Sequence, residues 1–552
     1  MAAWIVLLLL AVALSGFAQS IFGSLTGIVT DKTDAVIPGA RITLRNEASG
    51  DIRRTEANTD GYFSLTSIPT GSYTVSVEAA GFQKWERAGI TFTGAERRTL
   101  NDIVLQVAAA AEQVQVTATI EGIAPVESGE KASVLSERQL QNFSVIGRSA
   151  TEFIKILPGF SIGGTGVENR QGYTGEVMGI NGAGEAGPQS VLSSNAFLVN
   201  GLPSMSLDIT ADGAHVIDPG CNCGTPVNPN TDMIQEFKVL TSNYSAENAK
   251  GPAVMTSITK AGGREFHGQG YLYARHFSMN ANDWLNNKLG TKKPENKYFY
   301  PGANIGGPVL IPGSDFNRNR DKLFFFTGYE HYFQTLDTGI LTATLPTEGM
   351  RRGDYSPQEL AKLGEITASG GPPSEMTDPQ FPGGIIPPSA QDPSGQNLIK
   401  LFPLPNADPN ATGGYNYVKQ IPLDQNGWQW MSRVDYSISD YTKLFVRYNA
   451  QRELQRFPVG FWWRNANQVP YPSEIHGRNR SDAVSVSLTH VFNPTLTNEL
   501  VFGHTFITYP NVFEDPSKVD RTALGIPFKG LYENNVTQIP SMQAWGGEFA
   551  TL

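Results

Sequence analysis

Beyond residue 320 the chain repeatedly alternates apolar and polar residues over ten or more positions. In Asp482–Phe492, Val484, Val486, Leu488 and Phe492 fall on one face, while Ser485, Ser487 and Thr489 fall on the other. Lys322–Phe333, Trp428–Ser437, Thr442–Gln451 and Leu496–Thr508 have the same character. Strand side chains point alternately to opposite faces, so these segments read as long strands with one apolar and one polar side. Their length suits a membrane, which a tilted strand crosses in about 9–11 residues. After residue 20 no apolar run approaches the roughly 20 residues of a spanning helix. A chain that crosses lipid with such segments needs a closed barrel, because unpaired backbone groups are too costly there. The connections alternate too. Ser439-Asp440 and Asn493-Pro494-Thr495 are tight turns, whereas residues 337–427 form a long Pro/Gly-rich stretch. Short turns on one side and long loops on the other are expected of membrane barrels. A large soluble β-domain is the competing reading. Trp428, Trp430, Trp462 and Trp463 suit an interfacial aromatic belt, or less simply a sugar-stacking surface.

Composition supports a β-rich chain with many turns. Gly (57), Phe (29) and Tyr (19) are abundant, and only 17% of the 552 residues are charged. A net charge of -10 argues against a nucleic-acid partner, which a basic face would bind. Residues 1–20 read as a secretory signal: Trp4–Leu14 is a short apolar run, followed by small residues suited to cleavage after Ala18 or Ser20, although no Lys or Arg precedes it.

Residues 21–107 show short alternating runs separated by turns, the pattern of a small β-sandwich. Ile42 and Leu44 share a face, and Tyr73, Val75 and Val77 alternate with Thr74 and Ser76. Thr59-Asp60-Gly61 and Pro69-Thr70-Gly71 are the turn signals. The order Gly27-Ile-Val-Thr-Asp31, Ile37-Pro-Gly39, Asp60-Gly-Tyr-Phe-Ser-Leu65, Ile68-Pro-Thr-Gly71 and Ala80-Gly-Phe82 resembles the transthyretin-like, carboxypeptidase-regulatory-type domain. No His-x-x-Glu or His-Glu-x-x-His pair occurs, so a zinc peptidase would lack ligands, and the domain reads as a binding or spacer module.

Two helix starts follow. Ser136 and Gln139 form a capping box, with Leu135 and Leu140 placed as a hydrophobic staple. Ser149 and Glu152 repeat the box before a helix that Pro158-Gly159 should end. The segment then turns Gly-rich. Gly182-Ala-Gly-Glu-Ala-Gly187 spells a nucleotide-loop pattern, but without a preceding strand or a following helix it reads as a plain loop. Cys221 and Cys223 form either a tight local disulfide or two free thiols; a metal site would need more ligands than these two.

Phe197-Leu-Val-Asn-Gly-Leu-Pro203, Ile234-Gln-Glu-Phe-Lys-Val239 and Ser257-Ile-Thr-Lys-Ala-Gly-Gly263 resemble three motifs of the plug of a TonB-dependent outer-membrane receptor. Asn319–Phe326 and Phe492–Leu500 resemble barrel segments of the Oar-like group of that family. The resemblance implies a mainly β chain in five parts: a signal peptide at 1–20, a carboxypeptidase-regulatory-like β-sandwich at 21–107, a linker at 108–120, an α/β plug at 121–265, and part of an antiparallel transmembrane β-barrel at 266–552. In the intact family that barrel has about 22 strands. About seven or eight strands are legible here, so an N-terminal fragment is expected.

An isolated alternating stretch is a substrate for strand addition by a partner. Glu112, Gln113, Val114, Gln115, Val116, Thr117 and Ala118 form such a stretch and fall where the family carries its TonB box. The resemblance implies a TonB-type energy-transducing partner, outer-membrane lipid around the barrel and an unknown extracellular ligand. It implies no cofactor, no metal and no catalytic residue, and no metal-ligand cluster stands out among the seven histidines. The expected role is energised uptake across the outer membrane. The alternatives are an outer-membrane adhesion or assembly protein, or a secreted carbohydrate-binding β-protein.

Overall fold

A computed structural model describes residues 21–107, 129–143, 148–162, 197–200, 207–217, 227–244, 248, 251, 253–282, 284–290, 292–337, 340–363, 379–457, 469–493, 496–526 and 536–539. Its first unit is a sandwich of two sheets. The strands are β1 (Gly23–Asp31), β2 (Arg41–Asn46), β3 (Ile52–Glu56), β4 (Tyr62–Ile68), β5 (Gly71–Glu78), β6 (Trp85–Phe92) and β7 (Arg97–Leu105). One sheet has the order β4-β1-β7 and the other β3-β2-β5-β6. Alternation explains the core: Leu25, Ile42, Leu44, Phe63, Val75 and Val77 turn inward and are fully buried. Fully burying one such side chain stabilises by about 1.5–3 kcal/mol.

The second unit centres on a mixed sheet. Its strands are β8 (Lys131–Ser136), β11 (Leu207–Ala211), β12 (Ala214–His215), β13 (Ile234–Ser242) and β14 (Ala253–Thr259), in the order β12-β11-β14-β13-β8. Strands β9 (Phe160–Ile162) and β10 (Phe197–Val199) pair separately. Helix α1 (Glu137–Asn142) starts at Ser136, whose N–H donates to the Gln139 side chain at 2.9 Å. Leu135 and Leu140 are buried in one cluster, as the staple requires. The second expected helix is instead a 3-10 turn, Ala150–Ile156, with Ser149 as its cap. Leu157 N–H closes it on the Ile154 carbonyl three residues back, the 3-10 pattern in which such short turns commonly settle.

The third unit is a long antiparallel sheet. Strands β15 (His267–His276), β16 (Lys297–Pro308), β17 (Leu323–Leu336), β20 (Leu423–Ser437), β21 (Thr442–Phe457), β22 (Ile475–Asn493) and β23 (Leu496–Thr508) pair in that order. A small two-stranded sheet, β18 (Leu341–Ala343) with β19 (Tyr417–Lys419), interrupts the series, and β24 (Asn511–Phe513) folds back on β22. Short connections lie at one end of the sheet; at Ser439-Asp440 the Ser439 and Thr442 backbones bond reciprocally. Long connections lie at the other end. The stretch 337–427, expected as one long loop, gives its last residues to β20, which begins at Leu423, and carries structure of its own before that. Leu345, Phe402 and Tyr417 join Val469, Val519 and Ile526 in a common apolar cluster. The loops at this end therefore pack on each other, an arrangement without a local period in sequence.

Candidate functional site

In β22, Ser485, Ser487 and Thr489 are buried while Leu488 is exposed. The neighbouring strands repeat the arrangement. Glu330 and Gln334 of β17, Gln429 and Arg433 of β20, and Arg447, Asn449 and Gln451 of β21 are buried. Phe333, Val434, Val446, Leu500, Phe502 and Phe506 are exposed. The inner wall is thus polar and the outer wall apolar, the inverse of a water-soluble sheet and the arrangement of a lipid-facing one. Trp430 also lies on the outer face, edge-on to Tyr448 with ring centres 5.8 Å apart, and Trp428 stacks with Tyr329 at 6.2 Å. Trp462 and Trp463 lie outside the described residues.

The mixed sheet sits against this polar wall and is fastened at two places. Between β11 and β12 the chain turns at Asp212-Gly213, with φ of 47° and 78°. Two successive positive φ values define a type I′ hairpin turn, which Asp-Gly favours. The turn presents Asp212 to two arginines of the wall. Arg433 Nη1 lies 3.3 Å from Oδ1 and Arg447 Nε lies 3.3 Å from Oδ2. All three side chains are almost wholly buried. Arg447 approaches without hydrogen-bond alignment, so charge rather than a directed bond holds it. Asp212 also accepts from Thr259 N–H at 3.0 Å and from its hydroxyl at 2.9 Å, and Ser485 Oγ donates to the Asp212 carbonyl at 3.0 Å. Removing one member of such a buried set costs about 3–5 kcal/mol, because the remaining charges are stranded.

The second fastening centres on Arg148. It pairs with Asp232, reaches Glu330 of the wall at 3.5 Å, and lays its guanidinium 3.7 Å from the Tyr273 ring centre. Asn230 Nδ2 donates to Glu330 at 2.8 Å, and Gln269 Nε2 donates to Asp232 at 2.8 Å. Among the described residues, apolar contact across this seam comes in small clusters: Met233 with Phe326 and Met431, Ile258 with Phe445, and Ala483 of the wall against the core of the mixed sheet. The two buried polar sets lie among these clusters.

At the short-turn end the sandwich closes over plug and wall. Gly94 N–H donates to Glu236 Oε1 at 2.8 Å, and Lys238 Nζ donates to the Gly94 carbonyl at 3.0 Å. A Cβ at Gly94 would come within 2.6 Å of Cδ1 of the buried Ile258, whose side chain would have to shift. Lys443 lies 3.4 Å from Asp51, the Thr66 and Thr497 hydroxyls are 2.8 Å apart, and Phe22 packs edge-on to Phe445. Burial pushes the Glu236 carboxyl up to about 7, against the opposing pull of the Gly94 N–H and Lys238. The sandwich is thus docked by its own specific contacts, which a mere spacer would not need.

The faces of the wall strands are legible in the sequence, whereas the roles of Asp212, Arg433, Arg447 and Arg148 are not. Glu112, Gln113, Val114, Gln115, Val116, Thr117 and Ala118 lie outside the described residues, as do Cys221 and Cys223.

A polar-lined, lipid-faced sheet with a folded domain against its polar side is the arrangement of part of a plugged membrane barrel; among the described residues β15 and β23 do not pair to close it. The family described as outer membrane beta barrel domain matches residues 258–551, and the chain belongs to it. Residues 24–106 match the carboxypeptidase regulatory-like domain. The combination is consistent with the TonB-dependent receptor resemblance seen in the sequence, and the protein is one of the bacterial outer membrane. Comparison with curated proteins gives no match. Among solved structures the chain is similar to the outer membrane transporter YddB from Escherichia coli, at 8% identity and a TM-score of 0.39, covering 69% of this chain and 40% of that one. It is also similar to the siderophore receptor PirA from Acinetobacter baumannii, at 11% identity and a TM-score of 0.33, covering 68% and 43%. A third is the ferric enterobactin receptor PfeA from Pseudomonas aeruginosa, at 10% identity and a TM-score of 0.32, covering 69% and 45%. The chain spans less than half the length of these structures.

Proposed function

We propose that the chain belongs to a TonB-dependent receptor that takes up an extracellular solute through the outer membrane. Solute binds among the long loops and the plug apex. The inner-membrane partner adds a strand to residues 112–118 and pulls, and the plug shifts relative to the wall. The supporting observation is the way the plug is held. It is a separate sheet fastened to the wall by buried charges, Asp212 with Arg433 and Arg447, and Arg148 with Glu330. Such a seam reassembles with high specificity, because any other register strands its charges.

The test is deletion of residues 112–118 from the full-length protein in its native outer membrane. Energised uptake and growth on the transported solute should be lost while the outer-membrane level of the protein is unchanged. Undiminished uptake after the deletion would sink the transport reading.

A further inference from the structure

Where β24 folds back on β22, Ile475 pairs with Phe513 and His476 with Val512. The ladder continues by one bond, from Glu514 N–H to the Glu474 carbonyl at 2.8 Å. Glu474 and Glu514 therefore stand directly opposite each other, with side chains on one face. His476, two residues beyond Glu474, shares that face. Directly opposed like charges destabilise a strand pair. Among the described residues no Lys or Arg pairs with either carboxylate; the ion-pair partner of Glu474 is His476, whose Nε2 lies 3.7 Å from Glu474 Oε2. That nitrogen is buried and has no hydrogen-bond partner.

We propose that Glu474, His476 and Glu514 form a binding site for a divalent transition-metal ion, with zinc the best-matched probe. One imidazole and two carboxylates are ligand types that zinc accepts, with water completing a tetrahedron. Their ligand atoms lie within 4.8 Å of one another. Ligands in a tetrahedral zinc site are about 3.4 Å apart, as metal–ligand distances near 2.1 Å require. The His476–Glu474 separation is close to that value, and Glu514 is exposed and free to swing in.

The two segments are already held together without the ion. Asp515 N–H donates to Ser473 Oγ at 2.9 Å, and Tyr471 stacks on Phe513 with ring centres 5.6 Å apart. The ion would neutralise the opposed carboxylates and pin β24, with the segment after it, to the rim of the wall at the long-loop end. This site is independent of the transport reading, since its occupancy requires neither the plug nor residues 112–118.

The test is equilibrium dialysis of the folded chain in detergent micelles against zinc, comparing wild type with His476→Asn, Glu514→Gln and, as a control, His331→Asn. Zinc should bind wild type and the control alike. His476→Asn and Glu514→Gln should each bind at least roughly 10–100-fold more weakly, the loss that disturbing even outer-shell partners produces. Far-ultraviolet circular dichroism checks that each variant is folded. Zinc should also slow proteolysis of residues 514–526 in wild type and in the control, but not in the two site variants. Equal zinc affinity in wild type and folded His476→Asn overturns the proposal, as does zinc-independent proteolysis of that segment in wild type.

Discussion

The sandwich and the wall are built from the same alternation with opposite outcomes. In β2, Ile42 and Leu44 turn their apolar side chains into a dry core. In β22, Val484, Val486 and Leu488 turn theirs outward, while Ser485, Ser487 and Thr489 are the buried set. Period two thus specifies a strand and two faces, and the surroundings decide which face is inside. The sandwich must satisfy water all round. The wall must satisfy lipid on one side and a polar plug on the other.

Four substitutions would test this contrast, in falling order of cost. Leu44→Arg buries an unpaired charge in the sandwich and should cost more than about 4 kcal/mol. Limited proteolysis should find residues 21–107 cleaved rapidly, whatever the lipid or detergent. Asp212→Asn strands the buried Arg447, while Arg433 keeps Asp435, and should cost about 3–5 kcal/mol, read as plug release at lower urea with the wall still folded. Phe502→Arg on the outer wall should cost about 2–4 kcal/mol near the bilayer centre. In detergent the penalty should shrink, and an equal loss in both would mean that this face does not meet lipid. Ser485→Ala removes one hydrogen bond to the Asp212 carbonyl and should cost only about 0.5–1.5 kcal/mol.

The docking of the sandwich adds a pH test. The Glu236 carboxyl has its ordinary value near 4.5 when unfolded and about 7 in place. The folded state therefore holds the extra proton between these values, and its stability falls as pH rises from 4.5 to 7, then levels off. Thermal unfolding of Glu236→Gln should lose that slope. A variant curve parallel to wild type would show that Glu236 is not the titrating group.

What the sequence made legible follows from how local each signal is. The faces of β22 and β21, the tight turn at Ser439-Asp440 and the capping box at Ser136 depend on neighbours a few residues away, and all were readable. The latch was not. Asp212-Gly213 announces a turn, but its partner Arg433 lies 221 positions downstream, and only the register of two sheets against each other brings them together. Arg447 looks in sequence like any polar residue of an alternating strand. The loop cluster of Leu345, Phe402 and Val519 was hidden for the same reason, since its members come from separate connections and share no period.

The order β12-β11-β14-β13-β8 has a mechanical consequence. The linker joins the plug at β8, one edge of the sheet, whereas the Asp212 latch sits beside β12 at the other edge. Tension applied through the linker therefore crosses the strands in series before it loads the latch. Under the proposed pull, β8 would be loaded first, then β13 with its own contacts to Gly94, and the Asp212 edge last, so that this edge would remain tied to the wall longest.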